Sequence, residues 1–389
     1  MKVMLGHCFY RSSAPSGEDA VFRNEKMLLE NHMDIVPIEL FNDDIDENGI
    51  GGKVKIALQG VWSKQSYRRV AEAIEHFKPD IAHFHNTFPQ LSPSVFAACH
   101  DKQIPVVVTL HNYRFICPNA LLLREGKVCE ECLSGSLLPA MKYRCYRGSV
   151  FATGAQCLTI ATNRKLGTYE KVSRYIALTE FARNKFIEGG LPKESLVVKP
   201  NFLPSIPTVG KGSGDYIVYV GRLSEEKGIR FLLGALREIP GLRLKVLGDG
   251  PLRKELEKYC ELHSLAVDFL GFCNKEIILK IVGDAKLQVI PSIWYEGFPM
   301  VALEAMACGT PLLVSKIGSL EEIVVPGETG FHFEPGSVSS LVDALRITLK
   351  SPDLSTMRLN ARHRFLMNFT SEINLKKLFK IYQDAINSQ

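Results

Sequence analysis

The chain has 389 residues, 46% of them hydrophobic, enough for two domains of roughly 150 to 200 residues with a core each. Met1 to Gly6 is a short apolar run that turns polar at His7, without the flank of a secretory signal, and no stretch approaches the roughly 18 apolar residues of a membrane span; the expectation is a cytoplasmic protein, with peripheral contact to the inner face of a membrane left open. The net charge of +5 sits mainly in residues 1–205, with 25 Lys and Arg against 21 Asp and Glu, while residues 206–389 have 22 against 21, which suits an anionic ligand or lipid surface and excludes the basic stripe of a nucleic-acid binder.

Short apolar runs alternate with helical patterns throughout, the signature of parallel sheets with crossover helices. The first run, Val3 to Leu5, leads to Ser12-Ser13-Ala14-Pro15-Ser16-Gly17-Glu18-Asp19 and a helix. Ser16 and Gly17 could meet a phosphate at the helix N-terminus, or Ser16 could simply cap the helix with Asp19 at its third position. After Ile35 to Leu40 comes Asp43-Asp44-Ile45-Asp46, a D-x-D read as part of a solvated acidic loop that runs into Asn48-Gly49-Ile50-Gly51-Gly52. Ile81 to Phe84 carries His83 and, just beyond, His85, alternate positions that face one side of a strand. They read as metal ligands or as acceptor-facing groups, with His85 nearer the site and His83 a polar core residue. Val106 to Leu110 delivers His111 to a strand's carboxyl end, where ligands of α/β domains bind. A long insertion over 112–150 follows. Its Cys117, Cys129, Cys132 and Cys145 form C-x11-C-x2-C-x12-C, a pattern able to close a structural zinc site, whereas Cys8, Cys99, Cys157, Cys260, Cys273 and Cys308 are scattered like small core hydrophobes. Leu121 to Leu123, Leu137-Leu138 and the cations Lys142, Arg144 and Arg147 give the insertion an acceptor-facing or membrane-facing character. Tyr175 to Leu178 and Leu196 to Val198 complete a domain over 1–203.

The Pro, Gly and Ser-rich stretch Pro204 to Gly214 reads as an interdomain linker. A second domain over 204–370 has strands at Tyr216 to Val220, Arg243 to Leu247, Val267 to Leu270, Leu287 to Ile290, Pro311 to Val314 and Gly330 to Phe333. Its first strand ends in Gly221-Arg222-Leu223-Ser224-Glu225-Glu226-Lys227-Gly228, where a forked guanidinium and a point-like ammonium could clamp a diphosphate. The second ends in Gly248-Asp249-Gly250, whose glycines allow close backbone approach to a ligand. Farther on, Glu296-Gly297-Phe298-Pro299-Met300-Val301 leads into an apolar helix that contains Glu304. A charge buried there needs partners, either a sugar diol or a structural arginine. Glu296 lies before the helix, where free backbone N–H groups favour a phosphate or a sugar ring. Residues 371–389 form a last helix, spaced to pack back on the first domain.

With E-x7-E at Glu296 and Glu304, G-R-L-S-E-E-K-G at 221–228 and G-D-G-P-L at 248–252, the chain resembles the family 4 retaining glycosyltransferases over essentially its whole length. The resemblance implies the GT-B fold, two Rossmann-like domains facing each other across a deep cleft. It implies that Glu304 binds ribose, that Glu296 and His111 lie beside the donor sugar, and that Arg222 and Lys227 hold the diphosphate. Gly17, Gly248, Gly250, Gly297, Phe298, Pro299, Met300 and Val301 belong to the donor site, and Ser16 and His85 to the acceptor side. Ser16 departs from the family's usual paired glycines. The implied reaction moves a hexose from a nucleotide diphosphate sugar, UDP-glucose by preference, to a polysaccharide or lipid-linked acceptor without a catalytic metal. GDP-mannose is the alternative donor, and a UDP-N-acetylglucosamine 2-epimerase or a sugar-nucleotide sensor are the alternative functions. The cysteine insertion is implied to be structural.

Overall fold

The computed structural model describes residues 1–13, 16–45 and 49–388. Ala14 and Pro15 of the small-residue loop, Asp46 of the D-x-D, and Asn48 beyond it lie outside the described residues. Two compact units emerge, one of residues 1–122, 129–204 and 374–389, the other of 123–128 and 205–373.

In the first unit the strands are β1 (Lys2–Phe9), β2 (Asp34–Phe41), β3 (Ile81–Phe84), β4 (Val106–Leu110) and, beyond a short hairpin of β5 (Leu123–Arg124) and β6 (Lys127–Val128), β7 (Arg174–Ala177) and β8 (Leu196–Val198). Helices α1 (Gly17–Glu30), α2 (Gly49–Val61), α3 (Lys64–Phe77), α4 (Ser94–Asp101), α5 (Leu138–Tyr143), α6 (Val150–Lys165) and α7 (Glu180–Glu188) connect them. The sheet order is β2-β1-β3-β4-β7-β8, parallel throughout. β1, β3 and β4 are buried on both faces, which is why they read as unbroken apolar runs rather than alternating ones.

The second unit has β9 (Ile217–Val220), α8 (Ile229–Arg237), β10 (Leu244–Leu247), α9 (Arg253–Leu262), β11 (Val267–Gly271), α10 (Lys275–Asp284), β12 (Gln288–Ile290), α11 (Met300–Ala307), β13 (Leu312–Ser315), α12 (Ser319–Ile323), β14 (Gly330–Phe333), α13 (Val338–Lys350) and α14 (Leu354–Asn368). Its parallel order, β11-β10-β9-β12-β13-β14, is that of a dinucleotide-binding Rossmann sheet. The last helix, α15 (Ser371–Ile386), belongs to the first unit from Asn374 onward. Its Leu378, Ile381, Tyr382 and Ala385 are buried in one core with Val3, Leu5, Phe22, Ile81 and Ile176.

The stretch predicted as a linker is strapped to the second unit. Gly210 N donates to Cys308 O (3.0 Å), Gly212 N to Gly283 O (3.1 Å) and Gly214 N to Asp284 O (2.8 Å). Arg358 donates to the carbonyls of Gly210 and Gly283 at 3.0 and 2.7 Å. The glycines serve close packing rather than flexibility, because a Cβ on Gly210 would come within 2.1 Å of Gly283 backbone atoms.

Candidate active site

The sheet order of the second unit reverses between β9 and β12, so the loops beyond their carboxyl ends diverge and leave a crevice. Both expected clamp residues and Glu296 lie there. Lys227, from the loop after β9, donates to both carboxylate oxygens of Glu296, from the loop after β12, at 2.7 and 3.0 Å. Ser292 Oγ adds a 2.6 Å bond to the same carboxylate, which is 5% exposed and so needs these donors. The Lys227 ammonium also sits 5.3 Å from the centre of the Trp294 ring. Gly228, in the left-handed region at φ 67°, lets the two loops touch, since a Cβ there would meet Pro291 O at 1.8 Å. Arg222 is exposed, and among the described residues its guanidinium carries no ion pair.

The Gly248-Asp249-Gly250 turn packs against the loop after β9. Its glycines accommodate the neighbouring protein loop: Cβ atoms on Gly248 and Gly250 would fall 2.1 Å from Gly221 O and 2.4 Å from Leu223 O. Leu223 N donates to Asp249 O at 3.0 Å, so this turn buttresses the Arg222 loop. Of the segment before α11, Phe298 and Pro299 are buried, Phe298 lying edge-on to Phe369 at 5.7 Å. Gly297, Met300 and Val301 are half-buried, and no side chain caps the first turn of α11.

Glu304 is 6% exposed on α11, as its apolar neighbours suggested. Its partner in the protein is not an arginine but Lys275, the first residue of α10, whose ammonium pairs with Oε1. Burial raises the Glu304 carboxyl and Lys275 opposes it, the net direction being upward.

In the first unit, Ser16 caps α1 and forms a capping box with Asp19. Asp19 also accepts from His7 Nε2 (2.8 Å) and from Tyr10 N (3.2 Å). Asp43 accepts from Ser12 N, giving the D-x-D segment a structural partner. Gly17 is exposed, and no described residue lies within 4 Å of where a Cβ would sit. Glu18 accepts from Asn112 Nδ2 (2.7 Å) and Tyr10 OH (3.1 Å), and burial raises its carboxyl.

His83, His85 and His111 form one network. His85 Nδ1 lies 2.9 Å from His111 Nε2, and His85 Nε2 lies 3.0 Å from Glu25 Oε1. His83 bonds Tyr382 OH through Nδ1 (2.7 Å) and Thr109 Oγ1 through Nε2 (2.8 Å). Burial holds His83 and His111 well below, and His85 below, the ordinary imidazole value. Burial alone would raise Glu25, but Lys199 and the histidines outweigh it and hold this carboxyl well below its ordinary value. Ligand-type atoms of Glu25, His83 and His85 lie within 4.8 Å of one another. A metal nonetheless fits poorly, because all four ring nitrogens have protein partners and the Lys199 ammonium already holds Glu25 Oε2 at 2.8 Å and Asn374 Oδ1 at 3.2 Å. The metal-ligand reading of His83 and His85 therefore gives way to an internal cation supplied by lysine.

Cys117, Cys129, Cys132 and Cys145 are free thiols within the first unit. Burial, with the other three thiols nearby, pushes Cys132 up to about 11. Burial likewise raises Cys117, although backbone amides of residues 119–122 turn toward its sulfur and pull the other way. Among the described residues the four thiols are grouped more loosely than the Glu25, His83 and His85 trio.

A model of the family described as Glycosyl transferases group 1 matches residues 208–365, and one described as Glycosyltransferase Family 4 matches residues 53–204. The chain belongs to the family 4 glycosyltransferases. It is 38% identical over 160 residues to glycogen synthase of Mycobacterium tuberculosis, a match covering 39% of this chain and 38% of that protein. It is 25% identical over 322 residues to an uncharacterized glycosyltransferase of Methanocaldococcus jannaschii, covering 82% and 79%. Among solved structures, sucrose-phosphate synthase from Thermosynechococcus elongatus superimposes with a TM-score of 0.68 at 18% identity over 100% of both chains. Anabaena HepE with UDP and glucose gives 0.68 at 18% identity over 98% of this chain and 100% of its own. The fold is thus GT-B, two Rossmann-like α/β domains. In this family 4 glycosyltransferase, sequence reasoning missed Lys275, Ser292, Glu25, Lys199 and Glu18. The apolar setting of Glu304 signalled that a partner was required, and nothing in the spacing named Lys275; Glu25, between Asn24 and Lys26, carried no such signal.

Proposed function

We propose that the chain transfers a hexose from a nucleotide diphosphate sugar, UDP-glucose by preference, to a hydroxyl of a polysaccharide or lipid-linked oligosaccharide, with retention of anomeric configuration. The observation that carries this reading is the meeting of Lys227 and Glu296 at the sheet's switch point, beside an Arg222 whose guanidinium has no ion pair among the described residues. Arg222 and Lys227 are placed to neutralise the diphosphate as it departs, an electrostatic contribution that grows with the developing charge. Glu296 holds Lys227 and turns toward sugar hydroxyls, and Glu304 accepts from the ribose diol, sharing its carboxylate with Lys275. His111 contacts the donor sugar, and the diphosphate oxygens themselves take up the acceptor's proton.

The relatives' printed activities range over several sugars, so donor identity is tested directly. UDP-glucose is expected to raise the melting temperature and to release free glucose slowly, and Glu296→Gln to bind without release. Thermal shift without release in the unmodified chain would favour a sensor. A panel of UDP- and GDP-sugars that neither stabilises the protein nor is hydrolysed would overturn the proposal. Retention is read from the product's anomeric proton couplings.

A lipid-linked acceptor suits the groove between α2 and α6. It encloses a cavity of about 270 Å³ lined by Ala57, Gly60, Phe88, Phe151 and Ala155, with Arg147 at its edge. Exposed Leu58, Phe151 and Leu158 extend the apolar surface. Cosedimentation with anionic vesicles, weakened in Phe151→Glu, tests this membrane-facing role.

We also propose that Cys117, Cys129, Cys132 and Cys145 draw together around a structural zinc, which would take them as thiolates. Elemental analysis giving less than about a tenth of an equivalent of zinc would remove it.

A further inference from the structure

Glu25, His85 and His111 stand in line in the first unit, with contacts of 3.0 Å from Glu25 Oε1 to His85 Nε2 and 2.9 Å from His85 Nδ1 to His111 Nε2. The protons of such a line are set from its charged end. An ionised carboxylate only accepts, and the Lys199 ammonium, bonded to the second oxygen of Glu25 at 2.8 Å, keeps it ionised. His85 must then carry its hydrogen on Nε2. A neutral imidazole has one N–H, so His85 Nδ1 is a bare lone pair. The 2.9 Å contact to His111 is a hydrogen bond only if His111 carries its hydrogen on Nε2. Its remaining nitrogen, Nδ1, has no hydrogen-bond partner among the described residues, and the side chain is half-buried rather than sealed.

The alternative arrangement has His85 protonated on both nitrogens and donating to His111, which would put the His111 hydrogen on Nδ1. The surroundings oppose it. His85 is enclosed by Phe22 and the rings of His83 and His7, and Lys199 already supplies the positive charge that Glu25 requires. A second buried cation beside the first would be costly.

We propose that Glu25 and His85 are positioning residues that fix His111 as its Nε2–H tautomer, so that His111 meets the donor as a hydrogen-bond acceptor for a sugar hydroxyl. This rests on the reading that His111 adjoins the donor sugar. A bare imidazole nitrogen accepts from an O–H and is repelled by phosphate oxygens. The relay therefore assigns His111 to the hexose and leaves the diphosphate to Arg222 and Lys227.

The test is long-range ¹H–¹⁵N correlation on ¹⁵N-histidine-labelled full-length protein at neutral pH, with His111 assigned by its disappearance in His111→Gln. The expected result is a protonated Nε2 and an unprotonated Nδ1 in the unliganded protein. His85→Phe, which removes the acceptor and retains an aromatic ring, is expected to release His111 into a mixture of tautomers. A His111 protonated on Nδ1 in the unmodified chain overturns the proposal. A single tautomer that persists in a folded His85→Phe also overturns it. Titration with UDP-glucose separates the relay from the site assignment. The Nδ1 signal is expected to move while the Nε2 proton stays. An Nε2–H His111 that ignores the donor would overturn the acceptor role and the donor-side reading of this residue, leaving the relay's geometry intact.

Discussion

Glu296 and Glu304 are carboxylates under nine-tenths cover, and they differ in what satisfies them. Among the described residues Glu296 accepts three hydrogen bonds from two donors, two from Lys227 and one from Ser292, so neutralising it disturbs Lys227 directly. Glu296→Gln is expected to lower turnover on the order of 100-fold while leaving donor affinity within a few-fold, as measured by single-turnover kinetics and calorimetry. Glu304 has one protein donor, Lys275, whose side chain is half exposed and can be shared with a ligand. Glu304→Gln is expected to raise the donor dissociation constant with a smaller change in turnover, and the reverse ranking of the two variants would refute this division. Gly17 makes a third contrast. No described residue lies within 4 Å of where its Cβ would sit, so Gly17→Leu should leave the melting temperature within a degree or two and still raise the KM for donor or acceptor. The two glutamates and the Ser16 cap were legible in the sequence, because eight-residue spacing and capping patterns are local. Lys275 lies 29 positions from Glu304 and Lys199 174 from Glu25, and ion pairs over such separations have no spacing rule that could reveal them.

At the level of elements, every strand of both sheets could be read from the sequence, and the central ones, covered on both faces, stand out as short apolar runs bounded by polar turns. The roles of glycine-rich segments could not. Glycine has the same composition signal whether it admits a ligand, loosens a linker or lets two backbones touch, and in the strap at 210–214 and the turn at 248–250 it does the last. Gly228 shows the strength of that requirement. Alanine there would bear the left-handed strain, about 1–2 kcal/mol, and collide with Pro291 O as well. Gly228→Ala is therefore expected to lower the melting temperature and weaken donor binding together, because the loop contact it breaks holds Lys227 to Glu296. An unchanged melting curve would count against that account.

The stability of the whole molecule should depend on pH through the buried histidines. His83, His85 and His111 have depressed native values, so between their native values and about 6.5 the unfolded chain binds protons that the native chain refuses. Stability is expected to fall as pH drops below about 6.5, and melting temperatures that rise from pH 6.5 to 5 would contradict this. Glu25 adds its loss lower, as pH falls from the ordinary carboxylate range through its own depressed value. Deleting residues 374–389 would strip Leu378, Ile381 and Tyr382 from the core around Val3 and Ile81 and take one hydrogen-bond partner each from His83 and Lys199. Limited proteolysis of that truncation is expected to degrade the first unit and spare the second.

The same helix bears on how the molecule is made. A ribosome releases the strands of the first sheet long before it reaches Asn374, Leu378 and Tyr382, and in between it emits all but a short hairpin of the second unit. The unit that leaves the ribosome first is thus completed last. Val3, Leu5 and Ile81 must wait with one apolar face uncovered while the later unit folds, and the nascent chain is most exposed to chaperones and to aggregation through its earliest strands.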